Sequence, residues 1–151
     1  MVIAFQKNDP NLFPKLIRWW TKSPYSHCEI IFTNGLTFSA DCNSTGIRTK
    51  FKTSNHNTVD WDFVKIPVDA ETEAKLFRWA TTEAGCLYDF VGIVFTQILP
   101  LSFQNPWWWF CSELCTAFLQ QAGLLTDLIA YKLNPGQLFK ILDERGYKIN
   151  E

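Results

Sequence analysis

Cys111 and His27 are the residues whose types best suit nucleophilic chemistry, and 84 positions separate them. Cys111 opens the run "CSELCTAFLQQAG", directly after three tryptophans and a phenylalanine. Cys111, Leu114, Cys115, Phe118, Leu119 and Ala122 recur at helical spacing, so the run reads as a helix with Cys111 on its apolar side. A cysteine so placed can be a small buried hydrophobe, and Cys115 is read that way. Cys111 differs because it falls in the first helical turn. Unpaired backbone N–H groups and the helix dipole there favour an anion, which lowers a thiol's pKa. The same N–H groups can hold an oxyanion formed when the sulfur attacks a carbonyl. Position alone leaves both readings open.

A thiol nucleophile calls for a base, and the chain has two histidines. His56 lies in the polar run "TSNHNT" and reads as a solvated loop residue. His27 lies in "YSHCEIIF", which reads as a strand. Alternation places Tyr25, His27, Glu29 and Ile31 on one face and Ser26, Cys28, Ile30 and Phe32 on the other. Taken alone, that polar face reads first as a half-exposed strand with one wet side, and as a base facing the cysteine helix second. On the next strand Thr37, Ser39 and Asp41 share a face, so Ser39 or Asp41 could orient the imidazole. Cys111, Cys115 and His27 do not form a zinc pattern: there is no CxxC pair and no fourth donor, so neither metal nor cofactor is expected. Arg48, Lys50 and Lys52 alternate along one strand and read as a solvated strand edge rather than an anion site.

The elements that must position these residues follow from pattern. "MVIAF" is a strand, and Asp9-Pro10 opens a helix over about 11–21 with Leu12, Leu16, Trp19 and Trp20 on its apolar side. "YSHCEIIF", the Asn34-Gly35 turn and "LTFSADC" make a hairpin, and "IRTKF" and "VDWDFVKIPV" add strands. Asp69 caps a helix over about 70–84 that ends at Gly85. "LYDFVGIVFTQIL" reads as a buried helix, followed by a Pro- and Trp-rich loop in which Trp107–Trp109 are core or the wall of an apolar groove. The cysteine helix ends at Gly123, and "PGQLFKILDERG" is a last helix. Strands first and helices later predict an α+β domain spanning residues 1–151.

Composition bounds the function. Apolar residues make up 47% of the 151, enough for a packed core, and a net charge of −1 argues against nucleic acid as a partner. Five cysteines at uneven spacing do not form a disulfide scaffold, and "MVIAFQKNDP" lacks the features of a signal peptide, so a cytoplasmic, reducing setting is expected. The apolar stretch "FVGIVFTQILPLSF" is broken by Gln97 and Pro100 and is too short to span a membrane. Nothing in the residues sets an oligomeric state.

"YSHCEIIFTNGLTFSADCNSTGIR" followed by "FCSELC" resembles the circularly permuted NlpC-like hydrolases, papain-fold cysteine enzymes in which the histidine strand precedes the cysteine helix. Lecithin:retinol acyltransferase-type enzymes share that order. The resemblance runs from the N-terminal strand to Leu124. It implies a papain-like antiparallel sheet packed on helices, a thiol nucleophile at Cys111 and a base at His27. It implies a third polar residue at Ser39, with Asp41 as the substitute because relatives often carry a larger group there, and an oxyanion role for Tyr25. The implied reaction is hydrolysis of an amide, with a cell-wall-type peptide bond foremost and a lipid acyl ester as the alternative, through a thioester acyl-enzyme. A bacterial or phage setting would follow. A binding module without turnover is the remaining alternative on the same fold.

Overall fold

The computed structural model describes residues 1–43, 46–53, 55–88, 108–147 and 149–150. The chain forms β1 (Val2–Gln6), α1 (Leu12–Thr21), β2 (His27–Ile31), β3 (Thr37–Asn43), β4 (Gly46–Lys52), β5 (Trp61–Lys65), α2 (Ala70–Glu83), β6 (Leu87–Tyr88), β7 (Trp108–Trp109), α3 (Cys111–Gln121), α4 (Pro135–Glu144) and β8 (Ile149–Asn150). It is an α+β fold, with a multi-stranded sheet packed against helices. The sheet runs β7-β6-β4-β3-β2-β1-β5-β8. Every pairing is antiparallel except β6 with β7.

Period-two patterning decides which face the core takes. Cross-strand partners Ile3 and Ile30, Phe5 and Cys28, and Ile30 and Phe38 all point to one side. There they join Leu76 and Ala80 of α2, Leu114, Cys115, Phe118 and Leu119 of α3, and Leu138 and Leu142 of α4 in one buried cluster. A Phe32–Phe118–Trp79 chain of ring contacts ties the β2–β3 hairpin to α3 and α2. Gly35, at φ +83°, makes the hairpin turn that the Asn34-Gly35 pair predicts.

The helix signals act locally as expected. Asp69 caps α2 by accepting from the Thr72 backbone N–H at 2.7 Å. Asn134 and Gln137 form a reciprocal capping box at the start of α4. α1 departs from expectation. None of its residues is buried, and the apolar side carrying Leu12, Leu16, Trp19 and Trp20 faces solvent. Its other side is tethered by Arg18, which donates to the Asp9 carbonyl at 2.7 Å and to Ser26 Oγ at 3.2 Å.

The helix expected over "LYDFVGIVFTQIL" does not begin as a helix. Leu87 pairs with Arg48 of β4, and Leu87–Tyr88 run parallel to Trp108–Trp109. β-favouring side chains beside an open edge of β4 prefer the ladder. The rest of that call, with Asp89, the apolar segment 90–103 and Trp107, lies outside the described residues. Among the described residues no helix is long and apolar enough to cross a membrane.

Candidate active site

α3 starts abruptly. Its N-cap, Phe110, offers no side-chain oxygen, and the first intrahelical bond is Leu114 N–H to the Phe110 carbonyl at 2.9 Å. The N–H groups of Cys111 and its next neighbours therefore begin the helix without a side-chain cap. Ser112 is used elsewhere: its hydroxyl donates to the Leu133 carbonyl at 2.6 Å and fixes the helix start to the following loop. Cys111 is buried, with 4% of its surface exposed.

Two consecutive residues of β2, His27 and Cys28, act on its thiol. Hydrogen bonding from the Cys28 thiol is the largest influence on it. Burial opposes ionisation, but the charge and hydrogen bond of His27 add to the Cys28 bond, and the Cys111 thiol is held well below its ordinary range. Cys28 moves the other way: burial, then its bonds to Cys111 and Cys115, push its thiol up. Cys28 and His27 point to opposite sides of β2, against which α3 packs.

His27 responds in kind. Burial works against its charge, but the charge influence of Cys111 and hydrogen bonds with Asp41, Cys111 and Glu29 outweigh that and hold its pKa well above the usual histidine range. Nε2 lies 3.0 Å from Ser39 Oγ, 3.2 Å from Asp41 Oδ1 and 3.5 Å from Glu29 Oε2. The Ser39 hydroxyl donates to Asp41 Oδ1 at 2.7 Å, so Ser39 is left to accept from His27. Nε2 therefore carries a proton, and the tautomer is set by a hydroxyl and a carboxylate together.

The polar face of β2 is not wet. Glu29, Thr37 and Ser39 are fully buried and Asp41 nearly so. Neither is β4 a solvated edge: it lies inside the sheet between β3 and β6. Lys52 Nζ stands 2.7 Å from Glu29 and 3.0 Å from Asp41, and Lys50 Nζ is 3.6 Å from Asp41. Against their burial, hydrogen bonds from His27 and the lysine charge hold both carboxyls far below the carboxylate range, with His56 adding a bond to Glu29. The two acids likewise raise the Lys52 ammonium above its ordinary value despite burial. His56, read as solvated, instead hydrogen-bonds the other Glu29 oxygen and stands edge-on to the Trp61 ring at 4.6 Å.

His27, Glu29 and Asp41 each present a ligand atom within 4.8 Å of one another, the geometry of a possible metal site. Lys52 already supplies the cation between the two carboxylates, and the donor set is that of an internal ion-pair network. Tyr25 precedes β2 and does not follow its alternation. Its ring packs on Phe5 and Phe139, and its hydroxyl donates to Asp62 Oδ2 at 2.7 Å. Burial and that carboxylate push its pKa up. An oxyanion role would require this bond to be exchanged.

Beside His27 a cleft of about 210 Å³ opens, lined by His27, Asp41, Lys52 and Trp61 from the sheet side and by Phe13 and Ile17 of α1. Sequence reasoning missed Cys28, Glu29, Lys52 and His56 as parts of this network. The signal for two of them was present: acids on β2 and β3 stand on the same face as bases on β4, and neighbouring strands of opposite charge pair. Compared with known protein families, characterised proteins and solved structures, the chain gives no match.

Proposed function

We propose that the protein is a thiol acyl hydrolase in which Cys111 is the nucleophile and His27 the general base and acid, on a circularly permuted papain-like fold. The observation that carries this reading is the opposed shift of the pair: the imidazole is raised by Cys111 with Asp41 and Glu29, and the thiol is lowered by Cys28 first and by His27 with it. That is a thiolate–imidazolium pair poised for attack. The sulfur adds to an amide or ester carbonyl, and the N–H groups at the head of α3 receive the oxyanion. His27 gives its proton to the leaving amine or alcohol as the thioester forms. It then takes a proton from water, whose oxygen attacks the thioester and frees the acid. Ser39 and Asp41 hold the imidazole through Nε2 and leave Nδ1 to exchange the proton.

The cleft beside His27 mixes carboxylate, ammonium and aromatic surfaces, which suits a peptide amide of the cell-wall type. The exposed apolar side of α1, which borders the same cleft, favours a second reading, a lipid acyl ester.

The test is alkylation by iodoacetamide near neutral pH, mapped by mass spectrometry across the five cysteines. Labelling concentrated at Cys111, and slowed about a hundredfold by His27→Ala, is expected. Slow labelling without preference for Cys111 would point to a module without turnover. Hydrolysis of peptide amides against phospholipid esters then separates the two substrate classes, with Cys111→Ser as the blank.

A further inference from the structure

We propose that α1 is an interfacial helix that seats this protein on an anionic lipid bilayer. At about 100° per residue, Trp19, Leu12, Leu16, Trp20 and Phe13 follow one another around the helix in a stripe about 120° wide. This stripe faces outward: Leu12 and Trp19 are each 74% exposed, Leu16 50%, Trp20 46% and Phe13 43%. An amphipathic helix ordinarily turns such a stripe into the core. Here the opposite side is the one that is held, by the Arg18 bonds to Asp9 and Ser26, while Pro14 and Ile17 line the cleft together with Phe13 at the border of the stripe. The outward stripe is contiguous and belongs to one rigid element.

The charge at its border selects the occupant. Lys15 and the C-cap Lys22 are both exposed and lie together along one edge of the stripe, beside Trp19. The helix Leu12–Thr21 contains no acidic residue. Lysines flanking a Trp- and Leu-rich face meet lipid phosphates while the apolar side chains enter the acyl boundary. A second copy of α1 would bring the same lysines and no acid from the helix to meet them. The ten-residue helix is about 15 Å long, half a bilayer core, so it lies in the surface rather than crossing it. The adjacent Trp19 and Trp20 rings, 6.1 Å apart, form a pair of the kind that anchors at headgroup depth.

The inference is independent of the chemistry proposed for Cys111. The test is co-sedimentation with vesicles of phosphatidylcholine alone and of phosphatidylcholine with phosphatidylglycerol. The wild-type protein and Cys111→Ser are expected to partition equally, and more strongly onto the phosphatidylglycerol vesicles. Leu16→Asp should lower partitioning about tenfold or more, since an exposed leucine that would enter lipid becomes a charge. Lys15→Glu with Lys22→Glu should abolish the preference for anionic vesicles. These positions are exposed, and circular dichroism of each variant should match the wild type. No partitioning onto either vesicle, or partitioning unchanged by Leu16→Asp, overturns the proposal. So does concentration-dependent dimerisation that Leu16→Asp abolishes in protein that ignores vesicles, which would assign the stripe to a second copy.

Discussion

The Asp41 carboxylate stands 3.2 Å from His27 Nε2 and is the charged member of the pair that orients the imidazole. Ser39, two residues earlier on the same face of β3, reaches the same nitrogen at 3.0 Å but passes its own proton to Asp41. The serine is therefore a neutral relay, and the carboxylate supplies the electrostatic hold. A charge-assisted bond is roughly twice as strong as a neutral one. Ser39→Ala is expected to slow Cys111 alkylation about fivefold, and Asp41→Asn about a hundredfold. The measurement is the alkylation rate of each variant, with thermal melts to separate orientation from folding. Equal losses from both would return the main orienting role to Ser39.

The Cys111 thiol is lowered and the His27 imidazole raised, so the proposed mechanism puts its charged pair in the interval between those two values. Alkylation should stay fast on the acid side of the ordinary thiol range and fall only as pH drops through the lowered thiol value. Cys28→Ala removes the largest of the bonds that lower the thiol, so the acid limb should move upward. His27→Ala should move it upward too. A profile that rises only in the ordinary thiol range of the wild-type protein would remove the thiolate from the mechanism.

Much of this arrangement is written in local pattern. Period two along "YSHCEIIF" and "LTFSADC" separates Cys28 and Phe38 from His27 and Ser39, and spacing plus Gly123 delimits α3. What escapes is whatever depends on distant chain. Alternation in "IRTKF" shows which way Lys50 and Lys52 point, but only pairing with Leu87 makes β4 an interior strand. His56 sits in a segment without period, so nothing local foretells that it meets Glu29. The α1 stripe has the pattern of a core helix, and pattern alone does not say whether anything covers it. How Cys111 stands toward Cys28 and His27 depends on where α3 docks on β2, which no spacing encodes.

Lys52 binds two buried acids, and its removal would leave them facing each other in a low-dielectric layer. Lys52→Met is expected to cost about 3 kcal/mol at neutral pH, the usual scale for stranding a buried partner. The pH dependence has a definite sign. Glu29 and Asp41 are depressed in the folded chain, so their contribution is complete above the ordinary carboxylate range. It is lost as pH falls below that range toward the folded values. The gap between wild type and Lys52→Met should therefore narrow on acidification, measured by urea unfolding across pH. A gap independent of pH would mean that Lys52 contributes packing rather than charge.

Gly136, in the first turn of α4, is fixed by space rather than by backbone angle. A Cβ there would lie 2.0 Å from Ser23 Oγ and 2.5 Å from Ser23 Cβ. Ser23 is at the turn leading into β2, and its hydroxyl accepts the Tyr25 N–H at 3.2 Å. The contact thus couples the start of α4 to the segment that delivers His27. Helix propensity alone would make Gly136→Ala stabilising by up to about 1 kcal/mol. The clash should reverse that sign and destabilise by about 1–3 kcal/mol, the cost of overpacking a tight contact. Chemical denaturation reads the sign directly. Ser23→Gly placed behind Gly136→Ala should recover most of the loss, because it removes both clashing atoms. A stabilised Gly136→Ala would mean that α4 does not dock against this turn.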